Sequence, residues 1–205
     1  MAEELLIQIP KDVENLLLPD PGLINFYKEL GRRTLWIDGE IDVGTLEIER
    51  YILIFNKEDE GKPVEERQPI KLMFFTPGGS LEVNNSLIAM IQMSKTPVWG
   101  INTGAAHSAG SFVFLACHYR LAMPGCVFLL HQGSSDMSGT HEQITQCTKE
   151  YERQITELVD FVEKSTKIPR KTLLKEIKRE WFVGATQALD YGICDKIVSS
   201  IDELL

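Results

Sequence analysis

Along the chain, short continuous apolar runs alternate with segments whose apolar residues recur at helical spacing. Lys71–Phe75 reads as a buried strand that stops at Thr76-Pro77-Gly78-Gly79, with a helix following near Val83–Met93. Pro97–Asn102 is a second strand, leading to a glycine- and alanine-rich turn and the apolar stretch Phe112–Ala116. A third, Cys126–Leu130, runs straight into His131. Upstream, Arg33–Asp42 holds a short strand ending at Gly39, and Val43–Asn56 follows with Leu46, Ile48, Ile52, Leu53 and Phe55 near helical spacing. Strands that alternate with helices predict an α/β fold of parallel βαβ units, with active groups at the C-terminal ends of the strands.

Past His131 the pattern changes. Gln132–Gly139 is polar and glycine-rich, and Thr140-His141-Glu142-Gln143 has the form of a capping box. The helix it opens extends to about Ser165, with a narrow stripe of Ile144, Cys147, Tyr151, Ile155, Leu158 and Val162. Such a stripe needs a partner, and periodicity leaves open whether that is a neighbouring subunit or the chain's own core. Residues 1–22 read as an N-terminal arm ending in Leu18-Pro19-Asp20-Pro21-Gly22, a turn signal incompatible with helix, and residues 23–205 as one domain. The charge run Lys57–Arg67 reads as a solvated loop.

Composition narrows the classes of function. A chain of 205 residues, 43% hydrophobic and 25% charged, fits one soluble domain with a substantial core. A formal net charge of −9 argues against nonspecific nucleic-acid binding, which needs basic surface to displace counterions. The N-terminus does not read as a secretory signal, and no run approaches the ~18 apolar residues of a membrane span. The cysteines, Cys117, Cys126, Cys147 and Cys194, have no CxxC spacing and are expected to be reduced and mostly buried, as in a cytoplasmic protein. No metal site is expected, because His and Cys lack paired ligand spacing.

The candidate chemistry sits where strands end. Ser108 lies in Gly104-Ala105-Ala106-His107-Ser108-Ala109-Gly110-Ser111, a small-residue turn before a helix, where unpaired N–H groups face developing negative charge. His131 places an imidazole at the end of another strand, and Gly78-Gly79 forms a turn at the end of a third. A nucleophile, a base and a glycine turn in that arrangement indicate a serine hydrolase. Taken singly, each has a plainer explanation, in tight packing for the serine and a satisfied core histidine for the imidazole.

Four segments together resemble, in order, those of the Clp protease proteolytic subunit: Pro77-Gly78-Gly79, Gly104–Gly110, Leu130-His131-Gln132 and Ala188–Asp195. The resemblance spans roughly Phe26 to Ile201. It implies a spiral of βαβ units shared with the crotonase group, in which the segment of about residues 132–166 forms a handle joining two rings of subunits. It further implies a serine endopeptidase that cleaves unfolded polypeptides in a chamber of paired heptameric rings. The ATP would be used by a partner AAA+ unfoldase, and this chain would need no cofactor. By position, Ser108 matches the nucleophile, His131 the base, and the N–H groups of Gly79 and Ala109 the oxyanion donors. Gly78, Ser80 and Leu81 beside Gly79, and Gln132, Gly133 and Ser134, match the segments that grip an extended substrate.

This sequence departs from the family pattern at several places. Glu180 stands where the third triad member is usually an aspartate, and Lys178 replaces the aspartate of an aspartate–arginine pair. His107 and Ala109 replace an alanine and a methionine around the nucleophile. The arginine–glycine–glutamate–arginine stretch that precedes the family's core is absent from the arm. Asp190 and Asp195 are rival acids, placed in a closing helix and strand. Two alternatives therefore stand beside the active peptidase: a weakly active structural paralogue in mixed rings, and a crotonase-type acyl-CoA enzyme.

Overall fold

The computed structural model describes residues 20–134 and 136–204. The chain divides into two compact units, Met1–Arg32 and Arg33–Leu205. In the first, helix α1 spans Pro21–Gly31. Asp20 caps it, its carboxylate accepting from the Gly22 N–H at 2.8 Å, and Pro21 occupies the first turn. Asp20-Pro21-Gly22, part of the run expected to exclude helix, thus opens one, because a first-turn residue has no intrahelical partner for the N–H that proline lacks. Residues 1–19, most of the expected arm, lie outside the described residues.

The second unit is α/β. Its strands are β1 (Thr34–Ile37), β2 (Ile70–Thr76), β3 (Val98–His107), β4 (Tyr119–Ala122), β5 (Val127–Leu130), β6 (Trp181–Gly184) and β7 (Lys196–Ile197). The helices are α2 (Glu47–Glu58), α3 (Leu81–Met93), α4 (Ala109–Ala116), α5 (His141–Ser165), α6 (Arg170–Glu176) and α7 (Ala185–Asp190). Strands β1-β2-β3-β4-β7 are parallel neighbours in that order. From β3 a branch leaves to β5, and β6 closes it antiparallel to β5. No helix among the described residues is long and apolar enough to cross a membrane.

Every residue of α4 is buried, which is why its sequence, AGSFVFLA, carries no polar face. Phe114 sits edge-on to Phe74 of β2, centroids 5.4 Å apart, and tilted against Phe128 of β5 at 4.9 Å. This aromatic contact clamps α4 over the branch of the sheet, and truncating such a ring to alanine costs about 3–5 kcal/mol. The capping box of α5 forms as the sequence predicts: Thr140 Oγ1 accepts from the Gln143 N–H, and Gln143 Oε1 accepts from the Thr140 N–H. Along its stripe only Leu158 and Val162 are buried, joined by Val159, where α5 packs on α4 and α6. The chain's own core therefore covers the C-terminal half of the stripe, while Ile144 and Cys147 nearer the start are exposed.

The charge run 57–67 is not simply solvated. Asp59 is fully buried, and its carboxylate accepts from Arg33 at 2.5 and 3.0 Å and from the Thr96 hydroxyl at 3.0 Å. Lys62 approaches it from the solvent side at 2.9 Å. Arg33 is itself buried and lies over the Phe55 ring, 4.9 Å from its centroid. This pair ties the end of α2 to the start of β1, residues 26 apart in sequence. Its hydrogen bonds from Arg33 hold the Asp59 carboxyl well below the ordinary carboxylate range. A depressed acid contributes stability above its unfolded value of ~3.9, and that contribution is lost as pH falls toward the folded value. Asp59→Asn should therefore destabilise the protein by about 3–5 kcal/mol at pH 7, by leaving the buried guanidinium with only the exposed Glu58 carboxylate, at 3.1 Å, as counter-charge. Denaturant titrations should show the gap to wild type narrowing below about pH 4; a gap that stays constant under acid would contradict the ion-pair account.

Candidate active site

The site begins at the branch in β3. Trp99–Asn102 pair with β4, whereas Ala105–His107 pair with β5. Buried Asn102 stands at the fork, its amide donating to the Val127 carbonyl at 3.2 Å and its oxygen accepting from the Gly104 N–H at 3.0 Å. The sequence predicts this strand only to Asn102; β5 extends it, because small residues lie flat in a ladder as readily as in a turn. Strand β3 thus ends beside β5, and the Ser108 N–H donates to the Leu129 carbonyl at 2.8 Å.

Ser108 has φ 52 and ψ −121, a backbone conformation that costs a non-glycine residue on the order of 1–3 kcal/mol. It is the residue before α4, yet its side chain makes no capping bond. The strained elbow is held from below by Ser111, whose buried hydroxyl lies 2.5 Å from the Ala106 carbonyl and 2.9 Å from that of Leu129. The Ser108 Oγ is left free to face His131, 2.7 Å from its Nε2.

Antiparallel pairing places the third group. Leu130 is opposite Trp181, so the next step of the same register sets His131 against Glu180. His131 Nδ1 lies 2.8 Å from Glu180 Oε1. With Nδ1–H donating to the carboxylate, Nε2 carries no proton and accepts from the serine hydroxyl. The imidazole is mostly covered, its side chain 20% exposed, while Glu180 is 58% exposed. The longer acid therefore has open space to adjust its extra methylene. Of the rival acids, Asp195 is engaged by Arg120 at 2.9 Å.

His107, next to the serine, does not join this chain of bonds. Its ring is edge-on to Phe182 at 6.0 Å, and its buried Nε2 has no hydrogen-bond partner among the described residues. Burial lowers its pKa, a shift opposed by the charge of Glu180, so it is a neutral neighbour at pH 7.

Gly78 and Gly79 have φ 103 and 154, values that a side chain would oppose. Gly79 bridges Ile41 through its flanking groups, with the Ile41 N–H donating to Gly78 O and the Ser80 N–H donating to Ile41 O, both at 2.8 Å. The Gly79 N–H stays out of that ladder. A Cβ on Gly78 would lie 2.7 Å from the His107 carbonyl and 2.7 Å from Ser108 Cβ, so the glycine turn rests directly on the serine elbow.

A cleft of about 330 Å³ opens over these groups. Of the residues singled out in the sequence, Gly79, Ser80, Leu81, Ser108, Ala109, His131, Gln132, Gly133 and Ser134 line it. Gly78 packs against the elbow and Glu180 lies behind the imidazole. Sequence reading missed Glu82, Phe112, Tyr151, Gln154, Ile155 and Leu158 as lining groups. Three of them belong to the α5 stripe, so the signal existed but had two possible partners. Chemically, the arrangement offers a hydroxyl with a base in contact, an acid behind the base and glycine backbone nearby, which is the equipment for attack on a carbonyl.

Comparison with known proteins identifies the family and the fold. The Clp protease family model matches residues 24–201. The ATP-dependent Clp protease proteolytic subunit 3 of Rhizobium meliloti is 34% identical over 137 residues, 66% of this chain and 70% of that protein. Subunit 2 of Treponema denticola is 27% identical over 176 residues, 84% of this chain and 85% of that protein. In three dimensions the chain resembles a ClpP1 mutant from Listeria monocytogenes, with a TM-score of 0.75 at 24% identity, covering 88% of this chain and 99% of that one. The chain belongs to the Clp protease family, and its fold is that of ClpP.

The packing of the glycine turn against the elbow makes a direct prediction. Gly78→Ala places a Cβ against backbone that cannot rotate away, so it should lower unfolding stability by about 1–3 kcal/mol. An unchanged denaturant midpoint would show that the turn does not bear on Ser108.

Proposed function

We propose that the chain is a serine endopeptidase that cleaves unfolded polypeptides, with Ser108 as nucleophile, His131 as general base and Glu180 as the orienting acid. The observation that carries this reading is the unbroken pair of contacts Ser108 Oγ–His131 Nε2 at 2.7 Å and His131 Nδ1–Glu180 Oε1 at 2.8 Å. In the reaction, Ser108 Oγ bonds to the substrate carbonyl carbon as its proton passes to His131 Nε2. The N–H groups of Gly79 and Ala109 receive the resulting oxyanion, each donor contributing ~3 kcal/mol. His131 then protonates the leaving amine as the C–N bond breaks. A water deprotonated by His131 hydrolyses the acyl-enzyme, returning the proton to Ser108. Nothing in this sequence requires a cofactor.

Substrate would lie extended between Gly79–Leu81 and Gln132–Ser134, since both backbone segments line the cleft on either side of the reacting groups. The family relationship supports a ring assembly, with two stacked heptamers of this chain as the specific form. It also supports an ATP-driven AAA+ unfoldase as the partner that delivers substrate, and a cytoplasmic location. The exposed N-terminal half of the α5 stripe is compatible with a subunit contact there.

Glu180 is where this chain departs from the usual residue, and it gives the sharpest test. Glu180→Gln should cut peptide turnover on the order of 10⁴-fold, because the amide holds the wrong tautomer and cannot stabilise the imidazolium. Glu180→Asp should keep substantial activity, since the exposed carboxylate can close on the imidazole. Kinetics on a short fluorogenic peptide decide it. Unchanged turnover in folded Glu180→Gln would remove Glu180 from the mechanism, and activity in Ser108→Ala would remove the nucleophile.

A further inference from the structure

Gln132 is held from two sides. Its N–H donates to the Ile177 carbonyl at 2.9 Å, and its carbonyl accepts from the Tyr151 hydroxyl at 2.7 Å. Tyr151 comes from α5, so this bond spans 19 residues and crosses from the long helix to the segment after His131. The following residue, Gly133, has φ 82, and a Cβ there would lie 3.4 Å from the same hydroxyl. No other hydrogen bond to the Gln132 carbonyl occurs among the described residues. Burial raises the Tyr151 pKa above its usual value, so the phenol remains a donor throughout the working range of a histidine base.

We infer that Tyr151 is a positioning residue for substrate binding, its hydroxyl locking the peptide plane between Gln132 and Gly133 at the edge of the cleft. A trans peptide is planar, so fixing the Gln132 carbonyl also fixes the opposite direction of the Gly133 N–H. Gly133 contributes no side chain to restrain its own backbone, and its neighbours Gln132 and Ser134 are exposed. Without the hydroxyl, the plane is free to rotate about bonds that glycine leaves soft. A substrate strand that pairs with this segment would then have to order it on binding, and the loss would fall on affinity.

The inference rests on the peptidase reading of the same cleft, and the experiment separates the two. Tyr151→Phe removes one oxygen and keeps the ring against the cleft, so folding is preserved. Full-length wild type and variant are compared on an extended fluorogenic peptide and, separately, for the rate of labelling by a small fluorophosphonate that needs no strand pairing. KM should rise about three- to tenfold, the range expected for losing one hydrogen bond to a backbone carbonyl, with kcat changed less than twofold. Fluorophosphonate labelling should stay within twofold of wild type. An unchanged KM with active wild type overturns the role of Tyr151, as does a fall in kcat and labelling together, which would place the effect on the Ser108–His131 pair. Failure of wild type to hydrolyse peptide or take the label would instead overturn the peptidase reading itself.

Discussion

The site depends on one strand serving two neighbours. The first half of β3 pairs with β4 and its second half with β5, and where they part the side chain of buried Asn102 bonds Val127 at the start of β5 and Gly104 of β3 itself. Had β3 stayed with β4 for its whole length, its last residues would have been carried away from β5. Because it crosses over, the Ser108 N–H reaches the Leu129 carbonyl, and two strand ends from different parts of the chain meet within one hydrogen bond. The strained backbone of Ser108 is sustained by that bond, by Ser111 below and by the Gly78 turn above. Strain of this kind persists only where the surroundings over-determine it.

The acid follows from the same sheet. Strand β6 runs antiparallel to β5, and the ladder closes at Leu130 and Trp181, so His131 and Glu180 are the next residues out on the two strands. A backbone ladder, rather than a side-chain search, sets the distance. A glutamate reaches the imidazole here because Glu180 sits at the rim with most of its side chain in solvent, free to fold its extra methylene outward. Deep burial would have fixed the side-chain length.

What the sequence disclosed was whatever is local. The end of the strand carrying His131, the turn at Gly78-Gly79 and the capping box at Thr140 are written within a few residues each. Less legible was anything decided by a distant partner. Gly104-Ala105-Ala106 reads as a turn until β5 lies beside it. Asp59 reads as one more charge in a solvated run, although a guanidinium 26 residues earlier buries it. The α5 stripe announces an apolar face but not its partner; the structure turns Tyr151, Ile155 and Leu158 toward the cleft and Val162 into the core. The Pro21 turn failed for a different reason, since a proline marks the start of a helix as readily as its end.

The central claim is that the elbow and the imidazole together make one serine, Ser108, more nucleophilic than any other in the chain. Exposure of the assembled protein to a fluorophosphonate, followed by peptide mass spectrometry, tests this without assuming any substrate. The account predicts a single adduct on Ser108 that disappears in a folded His131→Ala variant. Absence of labelling in wild type, or an adduct on Ser108 that forms equally fast without His131, would contradict it.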